Sequence, residues 1–337
     1  MTASDPVEAP ANGKPIGRII VGIVGCLLPL AVILASPLRD DAVLFYIGFM
    51  PSFVALPLGS RLSAAAAGAT GVAVFLGLLV GHNAVVSGLF MAVMGVGVAL
   101  SHTRGWHAPA TYVATQAGLA VVAAPQAQSA TGGHHAATSL ANAAVVGGVA
   151  LLAGLWVAGI GHVTLSSVRM RPKTRDWDGE LQIHAATLAG LLGVSTFVLV
   201  HYTGGGNAWW ILLTILVSAA PTSAGSITRA VQRAGGTVVG GAVAALLVIG
   251  VHDRTALMTL GVIAAIASAV SYLRAPYGVF AGCLTLALVL LTFAEGHRLR
   301  GDVERVGYTV LAAVVVVIAA LVVDYLTTRY RARPVTL

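Results

Sequence analysis

The chain has 337 residues, of which 57% are apolar and only 9% charged, and its mean hydropathy of +0.89 is too high for a soluble globular domain. It reads as a polytopic, all-α membrane protein. The formal net charge of +7 would suit nucleic acid, but Lys and Arg sit in short loops between apolar runs, so membrane orientation accounts for them and nucleic acid is excluded as a partner. Cys26 and Cys283 lie in separate apolar runs without a CxxC and read as core residues.

Residues 1–15 are polar and read as a disordered cytoplasmic tail. Residues 16–36 imitate a signal peptide, with Lys14 and Arg18 ahead of an apolar run, but the run is long for that purpose and is read as the first span. Further spans are predicted at 42–58, 62–81, 84–100, 109–125 and 141–163, completing a first six-helix block at 16–163. A charged cytoplasmic linker, 164–180, leads to a second block at 181–328, with spans at 183–203, 207–220, 234–251, 255–271, 277–293 and 306–326 and a tail at 329–337. The sum is about twelve transmembrane helices. With both termini inside, the Lys and Arg residues divide 14 inside to 5 outside, as the positive-inside rule requires of a multi-pass protein of the plasma (inner) membrane.

Advancing the first block by 170 residues sets Pro51 on Pro221, Gly71 on Gly241, His82 on His252, Arg104 on Arg274 and Thr115 on Thr285. Because six is even, two such repeats run parallel, related by an axis along the membrane normal, with a substrate path between them.

The stretch from Trp209 to Gly241 joins an apolar span to a Pro-Thr-Ser-Ala-Gly-Ser break, two arginines four apart and a Gly/Thr run. Interrupted spans near Pro51 and near Pro221 with Thr222 would expose N–H groups and a positive helix end to an anion, although either proline can simply end or kink its span. Arg229 and Arg233 share one helix face at the inner mouth, where Arg61, Arg104 and Arg274 also lie. They would capture a carboxylate, or else contact lipid phosphates as anchors. Thr237 belongs to GGTVVGG, whose first reading is close helix packing and whose second is contact with substrate.

For proton coupling the candidates are Asp324, inside the last span with Arg329 following, and the loop histidines His82 and His252. His201 ends a span, and His134 and His135 lack a third ligand, so no metal site is expected. Trp209 and Trp210 read as an outer aromatic belt, with stacking of an aromatic substrate as the second reading. There is no GxxxxGK[ST] and no HExxH, and carboxylates do not cluster in the spans; an enzyme is not expected, and no cofactor is called for.

The order Trp209, Trp210, Pro221, Thr222, Arg229, Arg233, Gly236, Thr237, Gly240, followed by LRAPYG around Arg274 and a threonine-bearing span, resembles the fusaric acid resistance and aromatic acid exporter family. The resemblance is clearest from about residue 205 to 325, in a compact form without the family's cytoplasmic domains. It implies a plasma-membrane exporter of aromatic or other organic acids, with a small organic anion as substrate. Distant relatives include plant malate channels, which keeps passive anion movement open. Membrane lipid is the other expected partner, and a homo-oligomer is compatible with this reading. The rival from another class is a non-transporting scaffold subunit of the cell envelope.

Overall fold

The computed structural model describes residues 16–36, 38, 41–126, 139–164, 171–203, 206–251, 253–294 and 299–331. Among them the secondary structure is helical, with twelve α-helices. These are α1 (Ile16–Leu34), α2 (Ala42–Ala55), α3 (Ser60–Val80), α4 (Ala84–Ser101), α5 (His107–Ala123) and α6 (Leu140–Thr164), followed by α7 (Gly179–Tyr202), α8 (Trp210–Ser218), α9 (Ser223–Gly250), α10 (Arg254–Arg274), α11 (Tyr277–Ala294) and α12 (Leu299–Arg331). Seven of these helices are long and apolar enough to cross a membrane. Their outer faces carry exposed residues such as Val72, Leu89, Val93, Leu246 and Ile249, apolar side chains suited to lipid.

Short helices sit inside the long ones. Leu44 to Ala55 of α2, Tyr112 to Val122 of α5 and most of α8 are buried. Protein surrounds these segments, so neither their length nor an interruption leaves backbone groups facing lipid. A helix apolar on all sides belongs in such a place.

Small residues decide how closely the long helices approach. A Cβ added at Gly88 of α4 would come within 2.9 Å of the Gly193 carbonyl of α7, and one at Gly95 within 3.1 Å of the Ala189 backbone. This seam, with α5 against α8, joins the first six helices to the last six. Within the first six, α2 packs on α3 and α6, α3 on α5 and α6, and α4 on α5. Within the last six, α8 packs on α9 and α12, α9 on α11 and α12, and α10 on α11.

Helix starts are capped as their sequences suggest. Asn83 accepts from the N–H groups of Val85 and Val86 at the head of α4, and Asp253 from Thr255 at the head of α10. Asp178 caps α7, and the Leu181 N–H it accepts holds its carboxyl below the usual carboxylate range. That cap is present at neutral pH and weakens only as pH falls through the lowered value.

Three expectations change. Pro51 lies inside α2, and the interruption comes later, at a 3-10 turn, Leu56–Leu58, followed by Gly59 at φ 123°. Pro51 and Pro221 are therefore not in equivalent places. Helices α2 and α8 end at Ala55 and Ser218, 163 residues apart, whereas α4 and α10 begin at Ala84 and Arg254, 170 apart. The difference is absorbed by α9, which has 28 residues against 21 in α3. Third, α9 begins at Ser223 rather than near 234, and α12 begins before 306, so Arg229, Arg233 and Arg305 belong to helices and not to loops.

Candidate functional site

The site is built around the break between α8 and α9. Ala219 is extended and Pro221 has no N–H to give, so α8 cannot run on into α9. Thr222 is also extended, and its Oγ1 accepts from the Gly225 N–H at 3.2 Å, which caps α9. The Ser226 hydroxyl reaches back over the turn: it accepts from the Ala220 N–H at 2.9 Å and donates to the Ala220 carbonyl at 3.0 Å. Two hydroxyls thus satisfy the peptide groups that the break frees. Ser226→Ala removes both hydroxyl contacts to the Ala220 backbone and is expected to destabilise the fold by about 1–3 kcal/mol. The check is thermal unfolding in detergent, where Ser226→Thr should retain most of the wild-type midpoint.

Because α9 starts early, its arginines stand inside the helix bundle. Arg233 is ten residues beyond Ser223, about 15 Å along the axis, and is 2% exposed. The break and the cap raise it from an expected loop into the span. Tyr277, which opens α11, stands beside the guanidinium, and Tyr112 of α5 and Tyr46 of α2 lie within its electrostatic reach. Tyr272 of α10 lies edge-on to Phe280 of α11 at 5.4 Å. Arg233 Nε, the Tyr277 hydroxyl and Thr237 Oγ1, one turn further along, have no hydrogen-bond partner. Among the described residues no carboxylate lies within ion-pair distance of Arg233.

A buried guanidinium stays charged, so this arrangement places an uncompensated cation among neutral donors in a low-dielectric interior.

Arg229 lies one turn nearer the start of α9 and acts electrostatically on three histidines, His102, His107 and His184, from three different elements. The His102 and His107 rings stack at 4.3 Å, and His184 meets His102 edge-on at 5.7 Å. Among the described residues no three His, Cys, Asp or Glu side chains converge as a metal ion requires. Beside His184 a cleft lined by Ala220, Pro221, Ser223 and Ser226, with Val316 and Ala320 of α12, holds about 40 Å³. A benzene-sized guest occupies a cavity of roughly 150 Å³, so the cleft is closed to an aromatic ring in this conformation.

The remaining candidates are dispersed. Arg104 is exposed, 5.4 Å over the Trp106 ring. Arg274 ends α10, and its side chain lies outside the described residues, as do His252, His134 and His135. Thr222 is spent on its cap, and Pro51 is buried in α2. His82 is exposed in a turn, and His201 stacks on Phe197 at 5.7 Å. Asp324 is exposed on α12, while Arg329 donates to the Tyr325 hydroxyl at 3.2 Å. Trp209 and Trp210 are 9% and 8% exposed in the core, not in an outer belt. Gly236 and Gly240 do pack closely: a Cβ at either would overlap the carbonyl of Gly278 or Gly282 on α11.

The tyrosines around Arg233 were missed in the sequence. Their one signal is that Tyr46, Tyr112 and Tyr277 are scarce polar aromatics at the edges of apolar runs, and Tyr277 stands in the LRAPYG segment.

Residues 194–322 match a family model described as fusaric acid resistance protein-like, a range that includes the break, both α9 arginines and Tyr277. No curated protein and no solved structure matches the chain.

Proposed function

With residues 194–322 matching the fusaric acid resistance protein-like family, we propose that this multi-pass membrane protein is a transporter that exports organic, chiefly aromatic, carboxylate anions. The observation that carries this reading is Arg233, 2% exposed, with no carboxylate within ion-pair distance among the described residues and with tyrosines from helices of both halves within its electrostatic reach. A carboxylate would pair with the guanidinium through bidentate N–H contacts, and the tyrosines would hold its ring by face and edge contacts. Arg229 would draw the anion in from the cytoplasmic side, where the cleft beside Pro221 opens.

The architecture behind the proposal is a pair of parallel six-helix repeats with both termini in the cytoplasm. It is supported by the pairings of α2 with α3 and α6, of α3 with α5 and α6, and of α4 with α5, which recur advanced by six among the last six helices. The path would then run between the halves, past α2, α5, α8 and α9.

Proton exchange is the energy source proposed. The titratable groups that gather at the Arg229 end of the path, and would have to carry the proton against the charge of Arg229, are His102, His107 and His184. Asp324 is exposed and not within ion-pair distance of Arg233. Asp324→Asn is therefore expected to leave flux within about twofold of wild type, because it removes no contact to the anion. Flux of labelled benzoate into or out of proteoliposomes containing only this protein, with and without an imposed pH gradient, tests both points. Uphill flux that needs the gradient supports the exporter, purely downhill flux identifies a passive anion path, and no flux across a panel of organic anions sinks transport.

A further inference from the structure

We propose that Gln116 and Thr237 form a second recognition layer one helical turn beyond Arg233, which accepts a neutral hydrogen-bond donor at the far end of the anion and so selects among organic acids. The inference rests on the transport reading above and names the specificity of its site. Gln116 of α5 and Thr237 of α9 are each 1% exposed. Among the described residues Gln116 Oε1 and Thr237 Oγ1 have no hydrogen-bond partner. Two other buried threonines turn the hydroxyl back onto their own helix: Thr70 donates to the Ala66 carbonyl at 2.7 Å, and Thr115, the neighbour of Gln116, to that of Thr111 at 2.9 Å. Thr237 makes no such bond, so its hydroxyl is left to a group from outside the helix.

Topology sets the two residues at one depth. Helices α5 and α9 both start at the Arg229 end, because His107 opens α5 within electrostatic reach of Arg229 and α9 starts at the break. They therefore run the same way. Tyr112 lies within electrostatic reach of Arg233. Gln116 and Thr237 each follow one of these two by four residues, on the same helix face and about 6 Å further along. That is close to the span from a carboxylate to the para position of a benzene ring. An acid paired with Arg233 thus presents its para substituent to an amide oxygen and a hydroxyl. The amide oxygen only accepts, so it favours an N–H or O–H group. A methyl group of the same size leaves both polar atoms desolvated and unpaired, and a second carboxylate has no proton to give.

The test uses the full chain with 4-aminobenzoate and 4-methylbenzoate, acids of nearly equal size of which only the first offers N–H donors. In equilibrium binding to purified protein the wild type should favour 4-aminobenzoate by about tenfold or more, and flux in proteoliposomes should follow the same order. Gln116→Leu should bring the preference to within about threefold. Thr237→Val should lower it by a smaller factor, and Thr237→Ser, which keeps the hydroxyl, should retain most of it. A preference that persists in Gln116→Leu, or a loss of affinity equal for the two acids, would overturn the layer, because a merely structural role moves both alike. A wild type that binds the two acids equally would also overturn it while leaving carboxylate transport standing. A wild type that prefers 4-aminobenzoate but moves neither acid would sink the transport reading and keep the layer. If Gln116→Leu does not fold, Thr237→Val against Thr237→Ser decides by the same ratio.

Discussion

Arg233→Gln is expected to lose most or all carboxylate flux while raising the thermal stability of the protein. The two halves of that result have one cause. Arg233 is a buried cation with Nε unpartnered and, among the described residues, no carboxylate within ion-pair distance, so its desolvation is offset only in part, by the neutral Tyr277 hydroxyl beside it. Removing the charge relieves that cost. For the bound anion the sign reverses, because the guanidinium is its counter-charge. Truncating one member of a buried charge pair costs roughly 2–5 kcal/mol, about 30-fold to several thousand-fold in affinity. Arg233→Lys should keep the charge and lose the bidentate geometry, leaving measurable but weakened flux. The checks are benzoate flux in proteoliposomes and the unfolding midpoint in detergent. A Gln variant that loses stability together with flux would show that Arg233 holds the helices together and would remove the main support for the anion site.

Gly240→Val is expected to prevent stable folding, or to lower the unfolding midpoint by a wide margin. A Cβ at Gly240 would overlap the Gly282 carbonyl, and the atoms in the way are backbone, which cannot turn aside as a side chain can. Gly236 meets Gly278 in the same manner one turn earlier. Overpacking a fitted contact costs about 1–3 kcal/mol when side chains can yield, and more when they cannot. The same displacement would carry Tyr277, the residue before Gly278, away from Arg233, so any folded fraction should transport poorly. Gly235 provides the control, since nothing lies within 4 Å of a Cβ placed there. Gly235→Ala should be neutral or stabilising by up to about 1 kcal/mol, because alanine is the better helix former. Equal loss of stability at Gly235 and Gly240 would mean that the contact between α9 and α11 is not what the glycines serve.

Much of this protein is determined by sequence alone, for a physical reason. Whether a segment can sit in hydrocarbon depends on a sum over its own residues, so twelve apolar runs announce twelve helices without reference to one another. The interruption at Pro221 is equally local, since a proline has no N–H and its neighbours are polar and small. The Gly236 and Gly240 spacing declares a packing face in the same way.

Tertiary structure decided the rest, beginning with depth. Arginines at a span's margin read as loop residues in any running average of hydropathy, yet the Thr222 cap and the Ser226 clamp start α9 at Ser223 and carry Arg233 inside. Burial cannot be read from one helix, because the tyrosines around Arg233 come from α2, α5 and α11. Trp210 looked like an interfacial anchor until Arg305, 95 residues later in the chain, was found over its ring. Asp324 stays within the apolar span of α12, as its sequence suggested, but only the packing shows that it is exposed there. In each case the residue type and its local pattern were plain. What surrounds it was settled by how helices distant in sequence pack, a property that no stretch of the chain holds by itself.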